Sequence, residues 1–357
     1  MSYAKTEYQR SSLEKIFVIL FIPAVIVFYL AYKYPEVFLY FNLIKSTDSF
    51  YFLGKHPSFW YATLYSFIVC SISLKVLIKN HSPYRKGKIK LSSYQQKKFL
   101  SIFLVQFILL YVIPFYILPL MQNRPFFSDP ITPVSHDAFV YVSKGFTSWG
   151  GMVYVFLLVP LSVYLFGKRY CSWFCACGNL AETIGVTVWG SNWVKYKTPT
   201  GKWAQKLEKL QSFFLVFGLI YGLVLFMDFL KLVMAPSLIY AGTMFQNLVV
   251  DFTFGAIIGV GAYPFLGTRI WCRYGCPLAR MMVWVGRYGK SRFKVQADDK
   301  CKGINACSVV CPMGIDVASY AHLNRQPIMG SFGLNNTSCI GCGGCIDSCP
   351  VSALHFA

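Results

Sequence analysis

The stretch CIGCGGCIDSCP, residues 339–350, decides the fold of the C-terminal part of the chain. Its four cysteines are Cys339, Cys342, Cys345 and Cys349. Their C-x2-C-x2-C-x3-C spacing, followed by Pro350, is typical of iron–sulfur ligands. The first three thiolates would bind one cluster from a tight loop, whose glycines let backbone N–H groups approach the sulfides. Since the fourth thiolate binds the other cluster of a two-cluster fold, a second run is required.

The second run lies upstream, at Cys301, Cys307 and Cys311, with Pro312 after its last cysteine. On the same spacing these are the first, third and fourth ligands, and Ile304 stands where the second is expected. A zinc ribbon or a disulfide framework does not explain two such runs that each end in Cys-Pro. The tail therefore predicts a two-cluster unit that lacks one thiolate.

Exchange of the last ligand between the two runs assigns each cysteine to a cluster. Cluster A is the set Cys339, Cys342, Cys345 and Cys311, and cluster B is the set Cys301, Cys307 and Cys349. Four thiolates suit a 4Fe–4S cluster. Three suit a 3Fe–4S centre, or an incompletely ligated 4Fe–4S cluster whose fourth iron takes water or a nearby carboxylate such as Asp298 or Asp299.

The composition indicates an integral membrane protein. Of the 357 residues, 55% are hydrophobic and 13% are charged, which is too apolar for an ordinary soluble enzyme. The formal net charge is +20. However, the Lys and Arg residues are dispersed in short loops between apolar runs rather than gathered on one domain. We therefore expect contact with membrane lipid and no nucleic-acid partner.

Six apolar runs are long enough to cross a bilayer. They are about Ile16 to Tyr34, Phe59 to Ile78, Phe99 to Met121, Gly150 to Phe166, Phe213 to Met234 and Leu248 to Leu266. Pro23, Pro114 and Pro160 lie inside these runs and are compatible with helices, because neighbouring helices can satisfy the backbone groups that proline frees. The apolar core of the first run is too long for a cleavable signal peptide.

The loops between these runs alternate in positive charge. The second and fourth loops are rich in Lys and Arg, whereas the third carries only Arg124 and Lys144 and the fifth carries none. The positive-inside rule then places both termini and the cluster-binding tail in the cytoplasm, with the spans in a bacterial inner membrane. A reducing compartment would also keep the thiols free for clusters.

An internal repeat carries four more thiols. After the fourth run the chain reads FGKRYCSWFC, residues 166–175, and after the sixth it reads LGTRIWCRYGCP, residues 266–277. Each copy has a span, a Gly, an Arg and a C-x3-C pair. The pairs are Cys171 with Cys175 and Cys272 with Cys276, and Cys177 is an extra thiol in the first copy. Two related units packed side by side would bring both pairs to the cytoplasmic face.

Several chemistries are open to these thiols. Two from each copy could bind a third 4Fe–4S cluster, with Cys177 as a substitute ligand. They could instead act as redox-active dithiols or bind a soft metal such as Cu(I). Inert structural cysteines are the remaining alternative.

Two C-x3-C pairs after apolar spans, combined with a C-terminal double cluster motif, resemble the membrane polyferredoxins of the NapH, NosR and CcoG type. The resemblance covers residues 150–357. It implies electron transfer among the quinone pool, iron–sulfur clusters and a partner reductase or its maturation system. It also implies that the C-x3-C cysteines are the family's membrane-proximal pairs. The chain departs from the family at Ala176, where proline is usual, and at Ile304, which replaces a ligand.

Few groups in the predicted spans could support haem or proton chemistry. The five histidines, His56, His81, His136, His322 and His355, all lie outside the spans. Since haem b between helices commonly needs paired histidines, we expect no b-type haem. Asp228 and Lys231 have i, i+3 spacing near the outer end of the fifth span, and Asp251 opens the sixth. We interpret Asp228 and Lys231 as an interfacial ion pair with a snorkelling lysine, and proton handling by Asp228 and Asp251 is the alternative.

The sequence thus predicts an all-α six-helix transmembrane bundle with a C-terminal cytoplasmic α+β two-cluster ferredoxin domain. The expected regions are 1–148 with three spans, 149–297 with the repeat, and 298–357 with the ferredoxin domain. The predicted function is an electron-transfer subunit that connects a quinone pool or cytoplasmic donor with a partner respiratory reductase complex, with quinol dehydrogenase activity as an option. The alternatives are a copper or thiol redox maturation factor and a structural anchor of a larger redox complex.

Overall fold

The computed structural model describes residues 10–46, 51–53, 55, 57–85, 87–123, 145–232, 235–289 and 293–357. Within them, six helical segments are long and apolar enough to cross a membrane. Spans 1 to 6 are Ser12–Ala31, Phe59–Lys79, Ser93–Met121, Trp149–Trp173, Gly201–Phe229 and Pro236–Gly261. The predicted number of spans is confirmed, and the chain is a multi-pass membrane protein. His56 and His136 lie outside the described residues.

The helices of the described residues follow the chain in two groups. The α-helices up to the end of span 4 are α1 (Ser12–Lys33), α2 (Glu36–Tyr40), α3 (Pro57–Lys79), α4 (Ser93–Leu104), α5 (Leu118–Met121), α6 (Trp149–Val153), α7 (Val159–Phe166) and α8 (Tyr170–Trp173). Those that follow are α9 (Ala176–Gly185), α10 (Val188–Lys197), α11 (Gly201–Leu207), α12 (Leu210–Phe229), α13 (Pro236–Phe245), α14 (Tyr263–Leu266), α15 (Pro277–Tyr288), α16 (Ala306–Val309) and α17 (Gly344–Ser348).

Side-chain caps and π-helical turns explain how these helices begin and how they accommodate proline. Ser11 and Ser92 cap α1 and α4 by accepting hydrogen bonds from backbone N–H groups of the first turn. Spans 3, 4 and 6 contain π-helical segments at Val105–Ile117, Tyr154–Leu158 and Gln246–Gly261. Pro114 lies inside the first of these, and Pro160 is the second residue of the α-helix that follows the second. Wider turns and neighbouring helices compensate for the hydrogen bonds that proline removes.

Span 6 differs from its predicted extent because its first half is only moderately apolar. It begins at Pro236 rather than Leu248 and has the lowest mean hydropathy of the six, 1.4. The prediction that Asp251 opens the span is therefore wrong, because Asp251 lies well inside it. The ion pair expected between Asp228 and Lys231 is not among those of the described residues. The helix α12 ends at Phe229 and Lys231 has φ of 56°, so the i, i+3 spacing of a helix does not apply to the two residues.

Span 1 is held against span 6 by polar contacts. Asp251 is 2% exposed and forms an ion pair with Lys33, which is 29% exposed. The Tyr34 hydroxyl donates to the carbonyl of Asn247 at 3.3 Å. Toward the other end of α1, the Arg10 guanidinium donates to the carbonyl of Pro264. Asp251 thus has an ion-pair partner that sequence spacing did not reveal.

The tail unit is built on a small antiparallel sheet. The strands are β1 (Lys294–Ala297), β2 (His322–Leu323), β3 (Gln326–Pro327), β4 (Ser331–Gly333) and β5 (Leu354–Phe356). The order is β4-β1-β5, with Val295 opposite both Phe332 and Phe356, and β2 pairs with β3 as a separate hairpin. The tail sheet therefore begins a few residues before the predicted boundary at Asp298.

The tail unit packs directly on the helical region. The Ser172 hydroxyl donates to the carbonyl of Ile340 at 2.8 Å, and the Gln95 side-chain amide donates to the carbonyl of Cys342 at 2.9 Å. One buried core includes residues of span 4, both C-x3-C pairs and the tail strands. Loops from three distant parts of the chain therefore meet in one interior.

Replacing Lys33 should lower the free energy of unfolding more than replacing Asp251 does. Lys33→Met leaves a buried carboxylate without its cation and should lower the free energy of unfolding by about 3 kcal/mol. Asp251→Asn should cost only about 1 kcal/mol, because a partly exposed lysine can extend to the interface. Thermal unfolding in detergent measures both, with exposed Lys15→Met as the matched control. Equal losses from the two variants would contradict this asymmetry.

Candidate iron–sulfur centres

The two C-x3-C pairs occupy equivalent positions in the repeat. Cys171 lies in α8 and Cys175 is the residue before α9. Cys272 lies in a short π-helical turn, Trp271–Gly275, and Cys276 is the residue before α15. Each pair thus joins a helical turn to the N-terminus of the next helix, where helix N–H groups face a negatively charged sulfur favourably. The backbone N–H of Ala279 donates to the Cys276 sulfur at 3.4 Å.

The structure brings the four repeat thiols together, and we call them the tetrad: Cys171, Cys175, Cys272 and Cys276. Every one is buried. Each thiol of the tetrad is an electrostatic neighbour of the other three. Cys177 lies beside the tetrad and shares a side-chain hydrogen bond with Cys175. The Cys171 sulfur also lies 3.5 Å from the Met282 sulfur.

Burial and local hydrogen bonds shift the pKa values of the tetrad thiols in opposite directions. Burial raises the pKa values of Cys272 and Cys276. The hydrogen bond with Cys177 lowers the pKa of Cys175 to about 7, despite its burial. Since metals bind the thiolate, metal binding here would displace protons from buried thiols.

The cluster A thiols line one cavity of the tail unit. Its walls include Cys311, Cys339, Cys342 and Cys345. All four are electrostatic neighbours of one another. The backbone N–H groups of Gly341 and Gly344 hydrogen-bond the sulfurs of Cys339 and Cys342. Burial raises the pKa of Cys342 to about 12 and those of the other three above their ordinary value.

Glycine is required in the cluster A loop for two reasons. Gly341 and Gly343 have φ of 64° and 71°, a conformation that L side chains rarely adopt. A Cβ atom at Gly341 would also lie 2.6 Å from the Phe293 ring, and one at Gly343 would lie 2.9 Å from Tyr94. The four-thiol set, the inward N–H groups and the close-packed loop fit a 4Fe–4S cluster.

The cluster B thiols line a second cavity, which includes Cys301, Cys307 and Cys349. The backbone N–H of Ala353 donates to the Cys349 sulfur at 3.3 Å, and burial raises the pKa of Cys307 to about 11. Ile304, at the missing ligand position, lines the same cavity and is 50% exposed.

The suggested carboxylate ligands of cluster B do not line its cavity. Neither Asp298 nor Asp299 is among the cavity's residues. The Asp298 carboxylate instead lies 3.3 Å from the imidazole Nδ1 of His355. Among the described residues, no group of three or more His, Cys, Asp or Glu side chains could hold one metal ion. A cluster does not require such convergence, because its thiolates bind different irons.

The three thiol sets follow one another through the interior. Cys307 of cluster B is an electrostatic neighbour of Cys345 of cluster A. On the other side, Lys168 lies within electrostatic reach of Cys272 of the tetrad and of Cys339 of cluster A. Cluster A therefore lies between the tetrad and cluster B.

A buried ionic network between the tetrad and cluster A was missed by sequence reasoning. Glu182 forms ion pairs with Lys98, at 2.8 Å, and with Arg269. Lys98 also donates to the carbonyl of Cys342 at 3.1 Å. Arg269 donates to the carbonyl of Cys171 at 2.9 Å and lies 3.6 Å from the Cys272 sulfur.

The charge of Glu182 is maintained by its two cations. Burial acts to raise its pKa, but Lys98 and Arg269 outweigh that effect and hold the pKa below its ordinary value. The available signal was a single acidic residue in the stretch after the first C-x3-C pair, in a chain with only 14 acidic residues. Sequence alone gives no sign of the pairing with Lys98, because Lys98 lies at the end of the Lys- and Arg-rich second loop and is 84 residues from Glu182.

Sequence comparisons identify the same regions. Residues 333–355 match a 4Fe–4S binding domain family, and residues 148–197 and 251–296 match a second family described as a 4Fe–4S binding domain. The first match contains the tail run from Cys339 to Cys349, and the second contains both pairs of the tetrad. The chain therefore carries 4Fe–4S binding domains.

Three of the relatives that the chain matches are ferredoxin-type or electron transport proteins by name. The chain is 25% identical over 221 residues to YccM of Escherichia coli K12, a candidate electron transport protein, with 58% of this chain and 55% of YccM covered. It is 25% identical to the methylamine utilization ferredoxin-type protein MauN of Methylobacillus flagellatus, over 42% of this chain and 50% of MauN. It is 24% identical to the ferredoxin-type protein NapH of Haemophilus influenzae, over 64% of this chain and 75% of NapH.

The aligned region spans about half the length of YccM and of MauN. These similarities confirm the resemblance to NapH-type membrane polyferredoxins that the thiol spacing indicated. No solved structure matches the chain.

Neutralising Glu182 should destabilise the contact between the tetrad and the tail unit. Glu182→Gln leaves Lys98 and Arg269 buried without a counter-charge, and should lower the free energy of unfolding by about 3 kcal/mol. The tail should also become more accessible to protease. Exposed Glu36→Gln, which removes a carboxylate outside the core, should change neither measurement. Wild-type stability and protease resistance in Glu182→Gln would show that the network does not hold this contact.

Proposed function

We propose that the protein is a membrane-bound electron-transfer subunit with three iron–sulfur centres in series. The tetrad would hold a third 4Fe–4S cluster, cluster A a 4Fe–4S cluster, and cluster B the remaining centre. One observation carries this proposal: two thiols from each repeat copy are mutual neighbours, buried beside the loop of cluster A. Redox centres that lie close together in one protein interior are suited to passing electrons from one centre to the next.

The surroundings of the tetrad favour a cluster over a simple dithiol. Both repeat copies match a 4Fe–4S binding domain family, so each would supply half of a four-thiolate set. Arg269 lies 3.6 Å from the Cys272 sulfur and provides positive charge for an anionic cluster. Arg269 already has Glu182 as its counter-charge, so its second contact, with the Cys272 sulfur, leaves positive charge directed at the tetrad.

For cluster B we propose a 3Fe–4S centre. Its cavity offers three thiols, while the missing ligand position is the apolar Ile304 and no carboxylate lines the walls. A 3Fe–4S centre needs no fourth protein ligand. A 4Fe–4S cluster with water on its fourth iron is the alternative, and the exposure of Ile304 leaves room for that water.

We further propose that electrons pass between a quinone pool or cytoplasmic donor and partner redox subunits of a respiratory complex. The printed names of YccM, MauN and NapH support electron transport, and their bacterial sources support a location in a bacterial inner membrane. The alternation of Lys and Arg between loops supports an orientation with both termini and the tail in the cytoplasm. The pairing of Asp251 with Lys33 favours a structural role for that carboxylate, which leaves Asp228 as the candidate for proton handling.

One observation favours a second candidate function. The thioether of Met282 lies 3.5 Å from the Cys171 sulfur, and thiolate with thioether ligands is a donor set that Cu(I) prefers. On this alternative the tetrad would bind copper for the maturation of a respiratory metalloenzyme. The two candidates differ in the metal that the tetrad retains.

Removing one tetrad ligand should separate these candidates. We expect anaerobically purified wild-type protein to hold about eleven irons per chain and Cys272→Ser to lose about four of them, with the EPR signals of clusters A and B retained. Cys70→Ser replaces a lone cysteine of span 2 and should keep the wild-type iron content. About seven irons in the wild type, with stoichiometric copper that Cys272→Ser removes, would favour the copper site instead.

A further inference from the structure

Lys168 is a fully buried cation without a visible counter-charge. It lies in the turn Gly167–Arg169, directly before the first C-x3-C pair, and its side chain is 0% exposed. Across the described part of the chain, nothing hydrogen-bonds its Nζ atom, and no ion pair includes it. A buried ammonium group is strongly unfavourable unless an anion lies close by.

The turn that carries Lys168 lies where the two candidate cluster sites meet. The Ser172 hydroxyl, one turn later, donates to the carbonyl of Ile340 in the cluster A loop at 2.8 Å. A Cβ atom at Gly341 would lie 2.9 Å from Arg169 Cγ, so the loop packs tightly on this turn. Lys168 lies within electrostatic reach of thiols on both sides.

The thiols around Lys168 belong to both sets. They are Cys171 and Cys272 of the tetrad and Cys339 of cluster A. Because cluster A lies between the tetrad and cluster B, the positive charge of Lys168 acts on the first two sites and is farther from the third.

The two repeat copies supply their buried cations differently. In the second copy two arginines are buried and each has a carboxylate partner: Arg269 pairs with Glu182 and Arg273 with Glu208. In the first copy Arg169 instead lies over the Phe293 and Phe356 rings, at 4.9 and 5.0 Å. Lys168 takes the buried position, whereas the second copy has Thr268 there. Lys168 thus differs from the buried arginines of the second copy, since none of the carboxylates in the described ranges pairs with it.

We propose that Lys168 is the shared counter-cation of the tetrad cluster and cluster A, and that it raises the reduction potentials of both. This inference rests on the proposed function. A cubane with four thiolates carries net negative charge, and reduction adds one electron to it. A fixed positive charge in a low-dielectric interior stabilises the reduced form more than the oxidised form. Lys168 neither binds iron nor changes its own redox state. It acts on the clusters only through the electrostatic effect of its fixed positive charge.

The test compares Lys168→Met, Lys168→Arg and Lys88→Met, an exposed loop lysine, in anaerobically purified full-length protein. Iron per chain is counted first, and the reduction potential of each cluster is then measured by EPR-monitored titration. Lys168→Met should lower the reduction equilibrium constants of the tetrad cluster and cluster A by about tenfold or more, which is about 59 mV for one electron. Cluster B should be unchanged, and Lys168→Arg and Lys88→Met should match the wild type.

Two different results would overturn two different claims. Unchanged potentials in a Lys168→Met protein that holds about eleven irons would refute the role of Lys168 alone. A wild-type protein with about seven irons would refute the third cluster, and with it the shared role of Lys168. If Lys168→Met does not keep its iron, Lys168→Gln, which retains a polar side chain without the charge, is measured instead and carries the same expectation.

Discussion

The structure depends on the balance of charge in the interior between the two C-x3-C pairs and the tail. Lys98, Lys168 and Arg269 are almost completely buried there, and Glu182 is the carboxylate that pairs with two of them. Buried positive charge in excess is unfavourable unless anions lie nearby. Two four-thiolate clusters would supply that negative charge. The same cations reach the carbonyls of Cys171 and Cys342, so the groups that balance the charge also fix the tail against the helices.

This arrangement gives each centre a distinct environment. The tetrad lies at the ends of spans 4 and 6, closest to the membrane helices, and its surroundings are rich in buried cations. Cluster A lies in the middle, enclosed by a loop whose glycines allow no side chain. Cluster B has the exposed Ile304 at its open position. On our proposal, electrons would be exchanged with a membrane donor or acceptor at one end of the series and with a partner protein at the other. The reduction potential of each centre would depend on the nearby charges and on the exposure of that centre.

The sequence predicted those features that depend on local spacing. The six spans follow from hydropathy, and the ligand runs at Cys301–Cys311 and Cys339–Cys349 follow from intervals of a few residues. It did not predict features that depend on contacts between distant segments. Asp251 with Lys33, and Glu182 with Lys98, join residues far apart in the chain, and helical spacing contains no signal for either pair. The start of span 6 was missed because Pro236–Phe245, although helical, is only moderately apolar.

The central claim is that three iron–sulfur centres lie in series, with cluster A between the tetrad and cluster B. Diffraction from anaerobically grown crystals at the iron absorption edge tests it most directly, because anomalous density locates iron without assumptions about ligands. We expect three separate iron peaks, next to Cys272, Cys342 and Cys307. Two iron peaks confined to the tail, with none beside Cys272, would contradict the series of three centres.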